Sequence, residues 1–155
     1  MRLHVALLLL LGTLAVGCAP GERDRTALQG DPAAALRLAD AVVLRHFGGD
    51  NQITIDGPVD AWDGYAFGVQ VGADDVFAFY ERELTRLGWT LDPLADYQLT
   101  VESRARTWCR SLETFHLGVI KDRAFDPQFY KGQTFRTVFE TTLRARPPGT
   151  PCPQR

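Results

Sequence analysis

From about residue 32 onward the apolar positions of the chain switch between two periods, and the switches mark its elements. Leu36, Ala39, Val43 and Phe47 recur at helical spacing. Asp31 suits an N-cap, Pro32 the first helical position and Gly48-Gly49 a stop, so a first helix is predicted over residues 32–47. Residues 51–56 alternate like a short strand that Gly57-Pro58 breaks. A loop with Asp60, Trp62, Asp63 and Gly64 then leads to a strand over 65–71, with Tyr65, Phe67, Val69 and Val71 on one face. Asp74-Asp75 opens the clearest helix, whose stripe is Val76, Phe79, Tyr80, Leu84 and Leu87. Gly88 reads as its left-handed cap, with Trp89 packing back on Leu84.

The second half is predicted to be β-rich. Residues 89–91 start a strand that Asp92-Pro93 stops, and 98–102 is another candidate. In Glu113–Ile120, Phe115, Leu117 and Val119 share a face; in 134–146, Phe135, Thr137, Phe139, Thr141 and Leu143 do. The intervening segment 121–133 is too long for a tight turn, and its Phe125, Phe129 and Tyr130 predict a packed flap. A strand–helix–strand unit followed by antiparallel strands gives an α+β class: a two-layer sandwich, largely antiparallel, with about two helices packed on the sheet.

The first 31 residues follow another pattern. Arg2 precedes a 12-residue apolar run over 5–16, shorter than the roughly 20 residues a membrane-crossing helix needs. The run ends at Ala15-Val16-Gly17-Cys18, which resembles the bacterial lipobox, with Ala15 where Leu is more usual. The resemblance implies cleavage after residue 17, lipidation of Cys18, and an extracytoplasmic protein held on a membrane by its acyl chains. Ala19 lacks the Asp that retains lipoproteins at the inner membrane, so in a two-membrane cell the outer membrane is expected. Residues 18–31 read as a polar tether, and 32–155 as one domain. The helix segment Phe79-Tyr80-x-x-x-Leu84-x-x-x-Gly88-Trp89 also resembles segments in small uncharacterised bacterial lipoproteins, and no catalytic residue carries over from it.

Composition narrows the chemistry. Net charge is −2, becoming −3 without residues 1–17, and no basic cluster marks a nucleic-acid surface. Beyond Cys18 the cysteines are Cys109 and Cys152; an exported protein with two such residues is expected to pair them, stapling the Pro-rich tail to the domain. A redox or metal pair is the alternative, without the spacing of C-x-x-C or of a zinc cluster. His46 is placed at a helix C-terminus, and His116 on the strand face opposite Phe115 and Leu117. Asp56, Asp60 and Asp63 offer clustered carboxylates for Ca²⁺ but lack EF-hand spacing, which favours a solvated loop. Glu102 and Glu113 stand too far from other acids to read as a catalytic pair, and neither a phosphate-binding Gly-rich loop nor a G-x-S-x-G elbow occurs.

No cofactor, metal site or catalytic residue is therefore expected. Trp62, Trp108, Phe129 and Tyr130 remain as aromatics able to line a groove for a ligand or partner. These observations point to a non-catalytic interaction or ligand-binding module, its partner an envelope protein or a small ligand. The rival is an extracytoplasmic enzyme with a site assembled from distant residues. A cleft that brings His116 or His46 within reach of a carboxylate and a hydroxyl would raise that rival.

Overall fold

A computed structural model describes residues 24–55, 57–93, 99–121, 127–130, 132–146 and 152. Its centre is a six-stranded, wholly antiparallel sheet in the order β1-β4-β8-β7-β6-β5. The strands are β1 (Val42–Gly49), β4 (Trp62–Val69), β5 (Thr90–Leu91), β6 (Glu102–Arg110), β7 (Glu113–Ile120) and β8 (Thr137–Ala145). A separate hairpin of β2 (Gln52–Thr54) and β3 (Gly57–Val59) projects between β1 and β4, with Ile53 and Ile55 almost wholly exposed. One long helix, α2 (Ala73–Arg86), crosses one face of the sheet, and a short helix, α1 (Arg25–Gln29), contacts β4 and β8. The α+β class and the two-layer, largely antiparallel arrangement are as the patterning predicts.

The helix face holds the main core. Val76, Phe77, Tyr80 and Leu84 of α2 pack on Phe67 and Val69, Phe115, Leu117 and Val119, and Phe139 and Leu143. These alternate positions of β4, β7 and β8 are the apolar face that period-2 patterning assigns. Burial of large side chains contributes on the order of 1.5–3 kcal/mol each. Phe77, outside the predicted stripe, is buried too, with the Arg104 guanidinium 4.2 Å above its ring. Gly88 takes φ +81°, and the Trp89 amide donates to the Leu84 carbonyl at 2.9 Å, the predicted cap. Burial raises the Tyr80 phenol's pKa, and its hydroxyl donates to the Leu36 carbonyl at 3.1 Å.

The predicted helix over 32–47 is corrected. Asp31 does cap and Pro32 does start a helical segment, but it is a single 3-10 turn, Pro32–Ala35. The chain then forms β1. A bulge between Val43 and Arg45 shifts the register, so Leu44 and Phe47 both lie on the face away from α2, three residues apart. Val43 and Phe47, four apart in the predicted stripe, fall on opposite faces, Val43 opposite Phe67 and Phe47 opposite Gly64. His46 is therefore mid-strand rather than at a helix end, and Gly48-Gly49 continues the strand. Gly48 leaves room for the Arg25 side chain, since a Cβ there would lie 2.6 Å from Nε. The polar segment read as tether also contributes: Leu28 of α1 is fully buried in the main core, so the folded unit includes α1. Trp62, Asp63 and Gly64, placed in a loop, already belong to β4. The predicted strand over 98–102 is corrected: only Glu102 is in a strand, as the first residue of β6, residues 99–101 form no strand, and residue 98 lies outside the described residues. Cys109 and Cys152 are joined in a disulfide with a Cα–Cα distance of 5.8 Å, closing the predicted staple.

Candidate functional site

The sheet face away from α2 is only partly covered. There β4 presents Gly64, Ala66 and Gly68, small residues over which neighbouring rings fold. A Cβ on Gly64 would meet the Phe47 ring at 2.5 Å, and one on Gly68 would meet the Phe135 ring at 2.5 Å. Leu44, Ala66 and Ile120, with Phe47, Tyr130, Phe135 and Val138, form a small second core on this face.

Beside this second core, across β1, β4, β8, β7 and β6, lies a pocket of about 510 Å³. Its walls include Phe47, Trp62 and Leu99, and its polar lining includes Arg45, Thr107, Thr114, His116, Glu140, Thr142 and Arg144. The register assembles it. The two-residue connection Ser111-Leu112 pairs Arg110 with Glu113, which sets Thr107 opposite His116. On the other side His116 faces Thr142, and Thr114 faces Arg144. Arg144 in turn faces Trp62.

The pocket floor carries a line of three side chains. His116 Nε2 lies 2.9 Å from Glu102 Oε1, and Nδ1 lies 3.0 Å from Thr107 Oγ1. With its proton on Nε2, the ring donates to Glu102 and accepts from the Thr107 hydroxyl. Glu102 is fully buried and its other oxygen accepts the Leu99 amide at 2.7 Å. The carboxyl fits only because residue 118 is glycine: a Cβ there would stand 1.8 Å from Glu102 Oε1. Glu140, directly opposite Gly118, has a raised pKa, first because it is partly buried and second because of the negative charge of Glu102. Arg45 and His116 act in the opposite direction.

A second histidine–carboxylate pair sits on the helix side. Asp63 is 2% exposed and accepts from Arg25 Nε at 2.8 Å, Gln29 Nε2 at 3.0 Å and His46 Nε2 at 2.9 Å. His46 stacks on Tyr65 with ring centroids 4.1 Å apart. This cluster ties α1 to the sheet, and no pocket opens on it among the cavities described. The solvated-loop reading of Asp63 is thereby corrected, because the residue is buried and ion-paired. Asp56 lies outside the described residues. No group of three metal-ligating side chains occurs among the described residues.

Of the four aromatics picked out from sequence, Trp62 lines the pocket. Trp108 does not: it is 1% exposed in the main core, 6.4 Å from the Phe115 ring centroid. Its period was hidden because β6 (ESRARTWCR) carries few apolar residues to alternate. Tyr130 packs near Phe135 beside a different groove, of about 900 Å³, at the far end of the sheet. Phe129 belongs to the 3-10 turn Pro127–Tyr130, and Phe125 lies outside the described residues. In the far groove Arg104 pairs with Asp74 at 2.5 Å and Lys121 donates to the Thr100 carbonyl at 2.8 Å, while Arg136 is exposed on its rim.

Sequence reasoning placed His116 on the correct face but missed Glu102, Glu140 and Thr107 as its neighbours. The one available signal was Gly118, a glycine inside an otherwise β-forming run, which often marks close approach of another group. Among the described residues no helix is long and apolar enough to cross a membrane. No family model, curated protein or solved structure matches the chain.

Proposed function

We propose that this protein is an extracytoplasmic, membrane-anchored lipoprotein, tethered through Cys18, that binds a small ligand in the pocket on the open face of its sheet. The observation that carries the reading is the pocket itself. Its 510 Å³ is within the range of small-molecule sites, and it joins an apolar wall to a few convergent polar groups. Arg144 is exposed, and its guanidinium makes no ion pair or hydrogen bond with any described residue. The floor, by contrast, is fixed by the Glu102–His116–Thr107 line. Fixed polar groups beneath and an uncommitted cation at the mouth suit binding without a large rearrangement.

The test uses the full-length chain produced in a bacterial envelope and purified in detergent. Intact mass establishes whether Cys18 is acylated. A small-molecule library is then screened by thermal shift against the wild type and against Thr142→Trp, which fills the pocket. Ligands that stabilise the wild type and not the variant support the reading. Hits that stabilise both equally, or an unacylated N-terminus, count against the pocket and the anchor respectively.

A second reading, an extracytoplasmic hydrolase, is favoured by one observation: hydroxyl, imidazole and carboxylate stand in line at 3.0 and 2.9 Å, the order a nucleophile, base and orienting acid require. Against it, Thr107 is mid-strand and 7% exposed, and the backbone around it pairs with β7. Acyl transfer also needs donors aimed at the developing oxyanion. Turnover of chromogenic esters that disappears in Thr107→Val would establish this reading; unchanged background hydrolysis would remove it.

A further inference from the structure

We infer that the ligand of the open-face pocket is a small amphiphilic oxyanion, its charged head received by Arg144, Thr114 and Thr142 and its flat apolar body lying against Phe47, Trp62 and Leu99. The inference deepens the pocket reading above and rests on it.

The charge balance of the lining comes first. Glu102, buried beneath the floor, is occupied by the His116 ring and the Leu99 amide. Glu140 lines the pocket and is half-buried, with the Arg45 charge acting on it. Among the described residues no other Asp or Glu lines the pocket. Two arginines, Arg45 and Arg144, stand against that one lining carboxylate, so the lining is net positive, and Arg144 is its exposed charge with no described partner. A planar guanidinium offers paired donors that match carboxylate and phosphate oxygens, and it cannot lose its charge.

The strand geometry then says where the head would sit. Thr114 is directly opposite Arg144 on β7, and Thr142 is two residues before Arg144 on the same face of β8. Directly paired side chains have Cβ atoms about 4.5–5.5 Å apart, so two hydroxyls and a guanidinium converge on one small volume. Neither hydroxyl has a side-chain hydrogen-bond partner among the described residues. Trp62 is the other cross-strand neighbour of Arg144, and its ring and that of Phe47 lie 5.7 Å apart at 46°. A body attached to the bound head would meet these two rings, with the 37% exposed Leu99 on the wall. A bare inorganic anion would leave that apolar wall unused. A cation would have to enter past Arg144.

Four probes of similar size separate the possibilities: benzoate, phenyl phosphate, benzyl alcohol and benzylamine. Each is titrated into the full-length protein at pH 7, following the indole signal of Trp62 and the imidazole signals of His116 by NMR. One or both anions should bind at least tenfold more tightly than the alcohol. Arg144→Gln should erase that preference while leaving the alcohol's affinity within twofold. Phenyl phosphate against benzoate decides which oxyanion is preferred. Equal affinity for the alcohol, tighter binding of the amine, or a preference that survives Arg144→Gln overturns the ligand class and leaves the pocket reading standing. If no probe moves the signals of Trp62 or His116, the pocket reading falls and the ligand class with it.

Discussion

Replacing Gly118 with Ala inserts one methyl group, and its cost follows from what already occupies the space. The new Cβ would lie 1.8 Å from Glu102 Oε1, 2.2 Å from Cδ and 2.9 Å from Cγ. Atoms at these distances must move. Glu102 is not a free-swinging tip: it is fully buried, bonded to His116 through one oxygen and to the Leu99 amide through the other. Overpacking of a closed site costs about 1–3 kcal/mol. Displacing the carboxyl also loses two hydrogen bonds to a charged group, roughly 1.5–3 kcal/mol each where they are made well. Because relaxation of one relieves the other, the sum expected is about 3–5 kcal/mol. In a chain of this length that lowers Tm by roughly 10–20 °C.

Urea denaturation of the wild type and of Gly118→Ala gives the difference directly, and a double-mutant cycle with Glu102→Ala assigns its cause. With the carboxyl gone the clash is gone. Since Gly in a strand interior is disfavoured relative to Ala by about 0.5–1 kcal/mol, the substitution should become neutral or slightly stabilising in that background. Two results refute the reasoning. One is a Gly118→Ala protein within about 0.5 kcal/mol of wild type. The other is a cost that persists undiminished in Glu102→Ala.

Three further outcomes are expected. Asp63→Ala leaves Arg25, Gln29 and His46 without their shared acceptor; because Arg25 and His46 are about a third exposed, the loss should be about 2 kcal/mol, below that of a fully buried pair, with faster proteolytic cleavage near α1. Glu140 has a raised folded pKa, so its proton is held more tightly in the folded state; the stability it contributes is complete below its unfolded pKa and lost as pH rises through the folded one. Glu140→Gln should therefore gain on the wild type between pH 4 and pH 7, read from urea midpoints across that range, and a gap that shrinks with rising pH would contradict the assignment. Cys152→Ser opens a loop of 43 residues, for which chain entropy gives about 4 kcal/mol, measurable as the stability difference between variant and wild type under non-reducing conditions.

How much of this was readable in advance depends on the face of the sheet. The helix-side core was legible because α2 and strands β4, β7 and β8 carry uninterrupted apolar alternation: Phe115, Leu117 and Val119 in β7 and Phe139 and Leu143 in β8 all point where period 2 puts them. The cap at Gly88-Trp89 was legible because only local geometry is involved. Strand β1 reads as a helix because Val43 and Phe47 stand four residues apart, though the bulge between Val43 and Arg45 puts them on opposite faces of the strand. The site was not legible because its members come from five strands, and the pairing that unites Thr107, His116 and Thr142 depends on register. Besides Trp62 as a lining aromatic, only His116's face is legible, since that needs nothing beyond alternation within one strand.

The two histidine–carboxylate pairs help separate binding from support. Asp63 has three protein donors from α1 and β1, and its whole coordination is spent on holding the N-terminal helix to the sheet. Glu102 is as deeply buried, yet its histidine is only 13% exposed at the floor of a pocket whose rim arginine and hydroxyls have no described partner. Burying a carboxylate costs several kcal/mol that its partners do not automatically recover, and apolar residues of similar volume often stabilise a fold better. The demand is met at Asp63 by a tie between segments 38 residues apart in sequence. At Glu102 the bond to His116 spans adjacent strands that already pair from Glu102 to Arg110 across one bulge, so it adds no comparable tie to the fold. What it adds is a fixed ring orientation, which holds Nδ1 against the Thr107 hydroxyl and keeps the floor polar and rigid. A rigid polar floor beneath an open, uncommitted cation is the arrangement the proposed oxyanion site requires, and it accounts for the acid at position 102 where packing alone does not.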